Sequence, residues 1–161
     1  MIQDVELGDA PGVCRIYNHY VEHTTVTFEE EPVPVERMQA RMVEIRSHDL
    51  PWVVWRRDNE IFGYAYASKW KPRSAYRYSV ESTVYVDKDH VGKGIGSALY
   101  GELLSRLRKT RVHAVFGGVA LPNEASVRLH EKFRFRKIAH FEEIGFKLGR
   151  WIDVGYWQLI L

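Results

Sequence analysis

The sequence predicts a mixed α/β fold in which one mixed sheet is covered by helices, and three features point to it. Residues 80–86, Val80-Glu81-Ser82-Thr83-Val84-Tyr85-Val86, are β-rich; glycines follow at 92, 94 and 96, and Ile95, Leu99, Leu103 and Leu107 then take up helical spacing. That is a strand, a glycine-rich turn and a helix. Residues 52–56 and 61–69 read as strands joined by Arg57-Asp58-Asn59-Glu60, a hairpin turn by composition. Residues 136–146 and 151–161 read as two long strands around Lys147-Leu148-Gly149-Arg150. Hairpins make antiparallel pairs and strand–helix–strand crossovers make parallel ones, so a chain with both should build a mixed sheet.

The remaining elements follow in order. Residues 2–7 read as a short first strand. Asp9-Ala10-Pro11 opens a helix, with Asp9 as N-cap and a proline in the first turn, and Val13, Ile16, Tyr17, Tyr20 and Val21 give it one apolar face. Thr24-Thr25-Val26-Thr27-Phe28-Glu29 is too polar for a buried strand and too β-rich for a helix, which suits the wall of a pocket. Pro34 starts a second helix with a narrow stripe of Val35, Met38, Met42 and Ile45, ending near residues 48–51. Trp70-Lys71-Pro72-Arg73-Ser74-Ala75-Tyr76-Arg77 breaks the pattern with bases and aromatics: either a grip for an anionic group or a solvated connection. The helix after the glycines runs to about Lys109, residues 112–119 form a further strand, and Leu121-Pro122-Asn123-Glu124-Ala125-Ser126 leads into a short helix ending near Phe133. The order is β-α-α-β-β-β-α-β-α-β-β.

Composition bounds the partners. The chain of 161 residues, 45% apolar, suits a single domain over residues 1–161. A net charge of +2 from 23 basic and 21 acidic residues gives no strong field for nucleic acid or an anionic membrane. The lone Cys14 fits a reducing compartment, the acidic start from Met1 to Ala10 does not resemble a signal peptide, and no apolar run is long enough to span a bilayer. A soluble cytoplasmic protein is expected, with neither nucleic acid nor membrane as partner.

The glycine turn points to an anion. A helix start has unpaired N–H groups and a partial positive charge, and glycines let a phosphate come close to that backbone. The Rossmann spacing requires the third glycine three positions after the second, and the Walker pattern requires Gly-Lys-Ser/Thr; Gly92-Lys93-Gly94-Ile95-Gly96 meets neither. Val91-Gly92-Lys93-Gly94-Ile95-Gly96 instead resembles the acetyl-CoA loop of the GNAT superfamily of N-acetyltransferases, with Val91 where Arg or Gln is customary. The element order also resembles that superfamily, whose fold is a mixed, mostly antiparallel sheet flanked by helices.

Three strings narrow the likeness. Residues 80–86, Leu121-Pro122-Asn123-Glu124-Ala125-Ser126-Val127-Arg128-Leu129-His130-Glu131, and Gly145-Phe146-Lys147 with 151–159 resemble the phosphinothricin N-acetyltransferases, a family that includes enzymes for methionine sulfoximine and methionine sulfone. The resemblance implies a homodimer and direct transfer of acetyl from acetyl-CoA to the α-amino group of a small amino acid bearing a phosphinate, sulfoximine or sulfone, with no metal. One departure is Phe133-Arg134-Phe135, where a Leu-Gly-Phe-like turn is usual, so Arg134 is expected to alter the geometry after the helix.

Each chemical requirement has a candidate. Glu81, a carboxylate between Val80 and Ser82 on a strand, is the candidate base, with a salt bridge as the alternative use. His130 is either a proton donor or acceptor near the thiol, or a packed helical histidine. The N–H of Val86 is the candidate oxyanion donor if the strand parts from its neighbour there. Val84, Tyr85 and Val86, the loop Gly92, Lys93, Gly94, Ile95, Gly96 and Ser97, and Asn123 are the cofactor candidates, Asn123 serving equally as a helix cap. Arg73 and Arg77 suit the acceptor's carboxylate and oxyanion-like head, with Phe28, Tyr76 and Tyr85 as pocket walls or plain core. The bases at 71–77 favour an anionic acceptor over a polyamine. Transfer to another small amine or a protein N-terminus, and a non-catalytic acyl-CoA-binding module, are the alternatives.

Overall fold

Seven strands hydrogen-bond in the order β1-β2-β3-β4-β5-β7-β6. The computed structural model describes residues 1–161. The strands are β1 (Ile2–Asp4), β2 (Trp52–Arg57), β3 (Glu60–Lys69), β4 (Ser79–Val86), β5 (Ala114–Ala120), β6 (Arg136–Lys147) and β7 (Arg150–Ile160), and the helices are α1 (Ala10–His23), α2 (Val35–Ser47), α3 (Ile95–Leu107) and α4 (Glu124–Lys132). β4 pairs with β5 in parallel, whereas β1–β2, β2–β3, β5–β7 and β6–β7 are antiparallel, so the sheet is mixed as expected. No helix is long and apolar enough to cross a membrane.

The residues fall into two compact units. One comprises Met1–His19, Val33–Ser68 and Ser82–Arg111; the other comprises Tyr20–Pro32, Lys69–Glu81 and Val112–Leu161. In the first, the apolar stripes of the helices are buried, with Val13 and Ile16 of α1, Met38 and Met42 of α2, and Leu99 and Leu103 of α3, and so are Val53, Val54 and Tyr64 of the strands. Ser82 Oγ and Tyr100 Oη satisfy each other inside that core at 2.7 Å. In the second, β5, β7 and β6 form an antiparallel run, and α4 packs on β5.

Both hairpin turns take the left-handed geometry, which Asp58, Asn59 and Gly149 suit and Leu148 adopts at a steric cost. Asp58 and Asn59 take φ of 49° and 65°, and Leu148 and Gly149 take 51° and 74°, the left-handed pairs whose twist matches the flanking strands. The first strand, however, ends at Asp4 and not at residue 7. Leu7–Asp9 folds into a 3-10 turn instead, because the Asp9 carboxylate accepts the Glu6 N–H at 2.9 Å and also takes the Arg56 guanidinium. Asp9 therefore anchors this turn and is not the N-cap of α1.

Arg134 does not alter the turn after α4. It adopts the left-handed conformation itself, φ 67°, and Phe135 N–H reaches back to His130 O at 3.1 Å, so the geometry a glycine would give is kept at a steric cost. Arg134→Gly should stabilise the protein by about 1 kcal/mol and raise Tm by roughly 2–4 °C in a thermal melt.

Candidate functional site

The glycine turn lies in the first unit and is braced from behind. Gly92 and Gly94 take φ of 77° and 82°, and Gly94 is the N-cap of α3, so at these two positions any side chain would be strained. The turn therefore presents the start of α3, with the positive end of its dipole, as an anion site. Gly96 is helical, and a Cβ there would only touch Val86 Cγ2 at 3.4 Å. Lys93 Nζ donates to Asp89 O at 2.9 Å, which folds the loop on itself.

Asp87 is the brace. Its N–H donates to Phe62 O at 2.8 Å, and its carboxylate accepts the Asp89 N–H at 3.0 Å and pairs with the Arg15 guanidinium, itself donating to Ile61 O at 2.7 Å. His90 Nδ1 lies 3.3 Å from the same carboxylate, its ring tilted against Phe62. Burial alone would raise the Asp87 carboxyl, but Arg15, the Asp89 N–H and His90 outweigh it and hold the pKa at about 2. Tyr85 packs edge-on against Tyr17 at 5.2 Å and tilts on Tyr64 in the same unit.

The second unit holds a cavity of about 300 Å³. Val26, Phe28, Glu81, Gly118, Ala120, Ile144, Val154 and Tyr156 line it, so apolar walls surround one carboxylate and one phenol. Register explains the arrangement: Glu81 pairs with Phe116, Gly118 with Tyr156 and Ala120 with Val154, and alternate residues of a strand share a face. Small residues make the floor. A Cβ on Gly118 would lie 3.2 Å from Glu81 Oε1 and 3.1 Å from the Tyr156 ring. Trp70 stacks on Phe116 at 4.5 Å and meets Tyr156 edge-on at 5.4 Å, and Lys71 sits over Trp70.

This environment tunes both polar groups. Burial raises the Glu81 pKa, and the Lys71 charge offsets part of the rise. Burial and the Glu81 charge both raise the Tyr156 phenol. A carboxylate with a raised pKa is the better proton acceptor for an amine.

His130 lies on the other face of β5. A Cβ on Gly117 would run into the imidazole Nε2, whereas the next residue, Gly118, faces Glu81. The ring is buried against Phe135 and Trp157, and Nδ1 donates to Ser126 O at 2.7 Å, which places the lone pair on Nε2. Burial pushes its pKa down more than that hydrogen bond raises it, so the ring is neutral at pH 7. Asn123 caps α4, its Oδ1 accepting the Ser126 N–H at 3.1 Å.

Thus Glu81 and Phe28 meet in one cavity, and His130 stands behind its floor. Arg73, Tyr76 and Arg77 do not line the cavity: all three are exposed, and Arg77 donates to Ser74 O and stacks on Tyr78. The cation that acts on Glu81 is Lys71. Tyr156 was missing from the sequence-based set. Its alternation with Val154 shows only that the two share a face, and pairing with β5 decides which face that is. The parallel ladder between β4 and β5 runs from Ser79 to Glu81 against Ala114 to Phe116. No group of three or more His, Cys, Asp or Glu side chains is arranged to hold a metal ion.

Residues 13–135 match the model of the acetyltransferase (GNAT) family. The chain belongs to this family. Among similar GNAT proteins, the phosphinothricin N-acetyltransferase of Streptomyces viridochromogenes is 39% identical over 164 residues, 98% of this chain and 85% of that protein. The L-methionine sulfoximine/L-methionine sulfone acetyltransferase of Salmonella typhimurium is 32% identical, over 99% of this chain and 94% of that one. The crystal structure of a GNAT superfamily phosphinothricin acetyltransferase from Sinorhizobium meliloti in complex with acetyl-CoA superimposes with a TM-score of 0.96 at 31% identity, over all of this chain and 88% of that one.

Two outcomes follow from the electrostatics. If Glu81 must be ionised for acetyl transfer, kcat/KM should rise with pH through its raised pKa, and Lys71→Met, which removes the offsetting charge, should move that limb to higher pH in a pH–rate profile. Asp87→Asn should cost about 2 kcal/mol at pH 7, read by denaturant unfolding. Because the folded carboxyl is depressed to about 2, that contribution is present above the unfolded value of about 3.9 and is lost as pH falls toward about 2.

Proposed function

We propose that the protein, as one acetyltransferase domain, transfers acetyl from acetyl-CoA directly to the α-amino group of a small amino acid with a phosphinate, sulfoximine or sulfone head. The observation that carries this reading is Glu81, a carboxylate of raised pKa in a cavity of about 300 Å³ walled by Val26, Phe28 and Tyr156, in a chain similar to acetyltransferases named for such acceptors.

The reaction begins at an ammonium. Glu81 takes its proton, directly or through water, and the freed amine attacks the thioester carbonyl carbon. A C–N bond forms and the C–S bond breaks; the nitrogen sheds its second proton to water, leaving the neutral amide, and the departing thiolate takes up a proton to become the CoA thiol. The amine and the sulfur need different partners, and the placement of Glu81 and His130 on opposite faces of β5 supports a division in which Glu81 serves the amine and His130, once its Nε2 has taken up a proton, serves the sulfur. The N–H of Val86 is the oxyanion donor in this reading, by resemblance to the family.

The amides of Gly92, Lys93, Gly94, Ile95, Gly96 and Ser97 hold the pyrophosphate at the start of α3, and Val84 and Tyr85 flank the thioester arm. Asn123 commits its Oδ1 to the cap, which leaves its Nδ2 donors for the pantetheine. Lys71, the cation whose charge reaches Glu81, answers the acceptor's charged groups in this reading, in place of Arg73 and Arg77, which with Tyr76 stand outside the cavity.

The reading includes a cytoplasmic homodimer. The support for the dimer is the β6–β7 hairpin, where Phe146, Leu148 and Trp151 are 56%, 58% and 62% exposed.

The test is CoA release from acetyl-CoA with phosphinothricin, methionine sulfoximine, methionine sulfone, methionine and spermidine. Turnover of the first three is expected, with a loss of about 100-fold or more in kcat/KM for Glu81→Ala. Binding of CoA with no turnover on the panel would favour an acyl-CoA-binding module instead.

A further inference from the structure

Lys147 is a lysine where a hairpin would be expected to bury an apolar residue. It is 3% exposed near the end of β6, and Nζ donates to Thr27 O at 2.8 Å. Burial lowers the pKa of the ammonium, and Glu30 and Glu29 raise it in part. A Leu or Met would fill the same space without desolvating a charge, so packing alone does not account for a lysine here.

Its partner is the segment between α1 and α2 that supplies a wall of the Glu81 cavity. Residues 24–30 form neither helix nor strand, yet Val26 and Phe28 from this stretch line the cavity and Thr27 between them is buried. Gly145 lies on the same face of β6 as Lys147, and a Cβ there would run into the Phe28 ring. Arg150 Nη2 adds a contact to Thr25 Oγ1 at 3.5 Å, the outer limit of a hydrogen bond. A segment without a ladder of its own thus takes from the β6–β7 hairpin a charge-assisted hydrogen bond at Thr27 O and a seat on bare backbone for the Phe28 ring.

We infer that Lys147 is a positioning residue for the acceptor: by holding Thr27 O it fixes Val26 and Phe28 against the cavity, and so sets acceptor affinity without touching the reacting atoms. This rests on the reading of the Glu81 cavity as the acceptor site. Lys147→Met keeps the length and removes the donor; Lys147→Arg keeps a donor.

Two measurements decide it. Hydrogen exchange should show the peptide over residues 24–30 exchanging about tenfold faster in Lys147→Met than in wild type, and less so in Lys147→Arg. With methionine sulfone or phosphinothricin as probe, KM for the acceptor should rise about tenfold in Lys147→Met while kcat and KM for acetyl-CoA change less than about twofold, with Lys147→Arg restoring part of the loss. Unchanged exchange overturns the inference whatever the kinetics. Faster exchange with an unchanged acceptor KM overturns it too, since the segment would then move without consequence. If wild type acetylates no probe, the acceptor reading fails by itself, and exchange alone then decides whether Lys147 holds the cavity wall.

Discussion

Two adjacent glycines in β5 govern what the second unit can do. A side chain at Gly117 would occupy the place of the His130 imidazole, and one at Gly118 would press on the Glu81 carboxylate and the Tyr156 ring. Because successive residues of a strand face opposite ways, the pair opens both sides of one strand at the same level. Glu81 is then buried enough to bind its proton more tightly, and His130 is buried enough to stay neutral. The cavity, its carboxylate and the histidine behind it all depend on that bare stretch of backbone.

The first unit solves a different problem. A turn with two left-handed glycines has little intrinsic order, since glycine loses more conformational freedom on folding than any other residue. Asp87 compensates by gathering Arg15 from α1, the Asp89 N–H and His90 on one carboxylate, while its own N–H is held by β3. The turn at the start of α3 is therefore braced by a carboxylate that lies behind it.

Much of this was legible in the residues. The glycine turn, the helix stripes, the two hairpins and Glu81 on its strand follow from local periodicity and turn chemistry, which act over a few residues. The first strand was overestimated because Asp9 binds Arg56, far off in the chain, and that long-range pair bends residues 7–9 into a turn. Arg134 was expected to change the turn after α4, and instead absorbed the strain, because the backbone hydrogen bond from Phe135 to His130 fixes that turn from both sides.

The sequence by itself determined the element order, the mixed sheet and the family to which the chain is similar, since strand alternation, helical spacing and glycine at left-handed positions are properties of neighbouring residues. Which of these elements meet is settled in the folded chain. Register put Tyr156 opposite Gly118 and so into the Glu81 cavity, left Arg73 and Arg77 outside it, set His130 on the opposite face of β5, and brought Lys147 to a carbonyl in a segment remote in the chain. The reason is physical: side-chain type and spacing fix local conformation, but a face is assigned only when one strand pairs with another, and a one-residue slip would reverse every assignment.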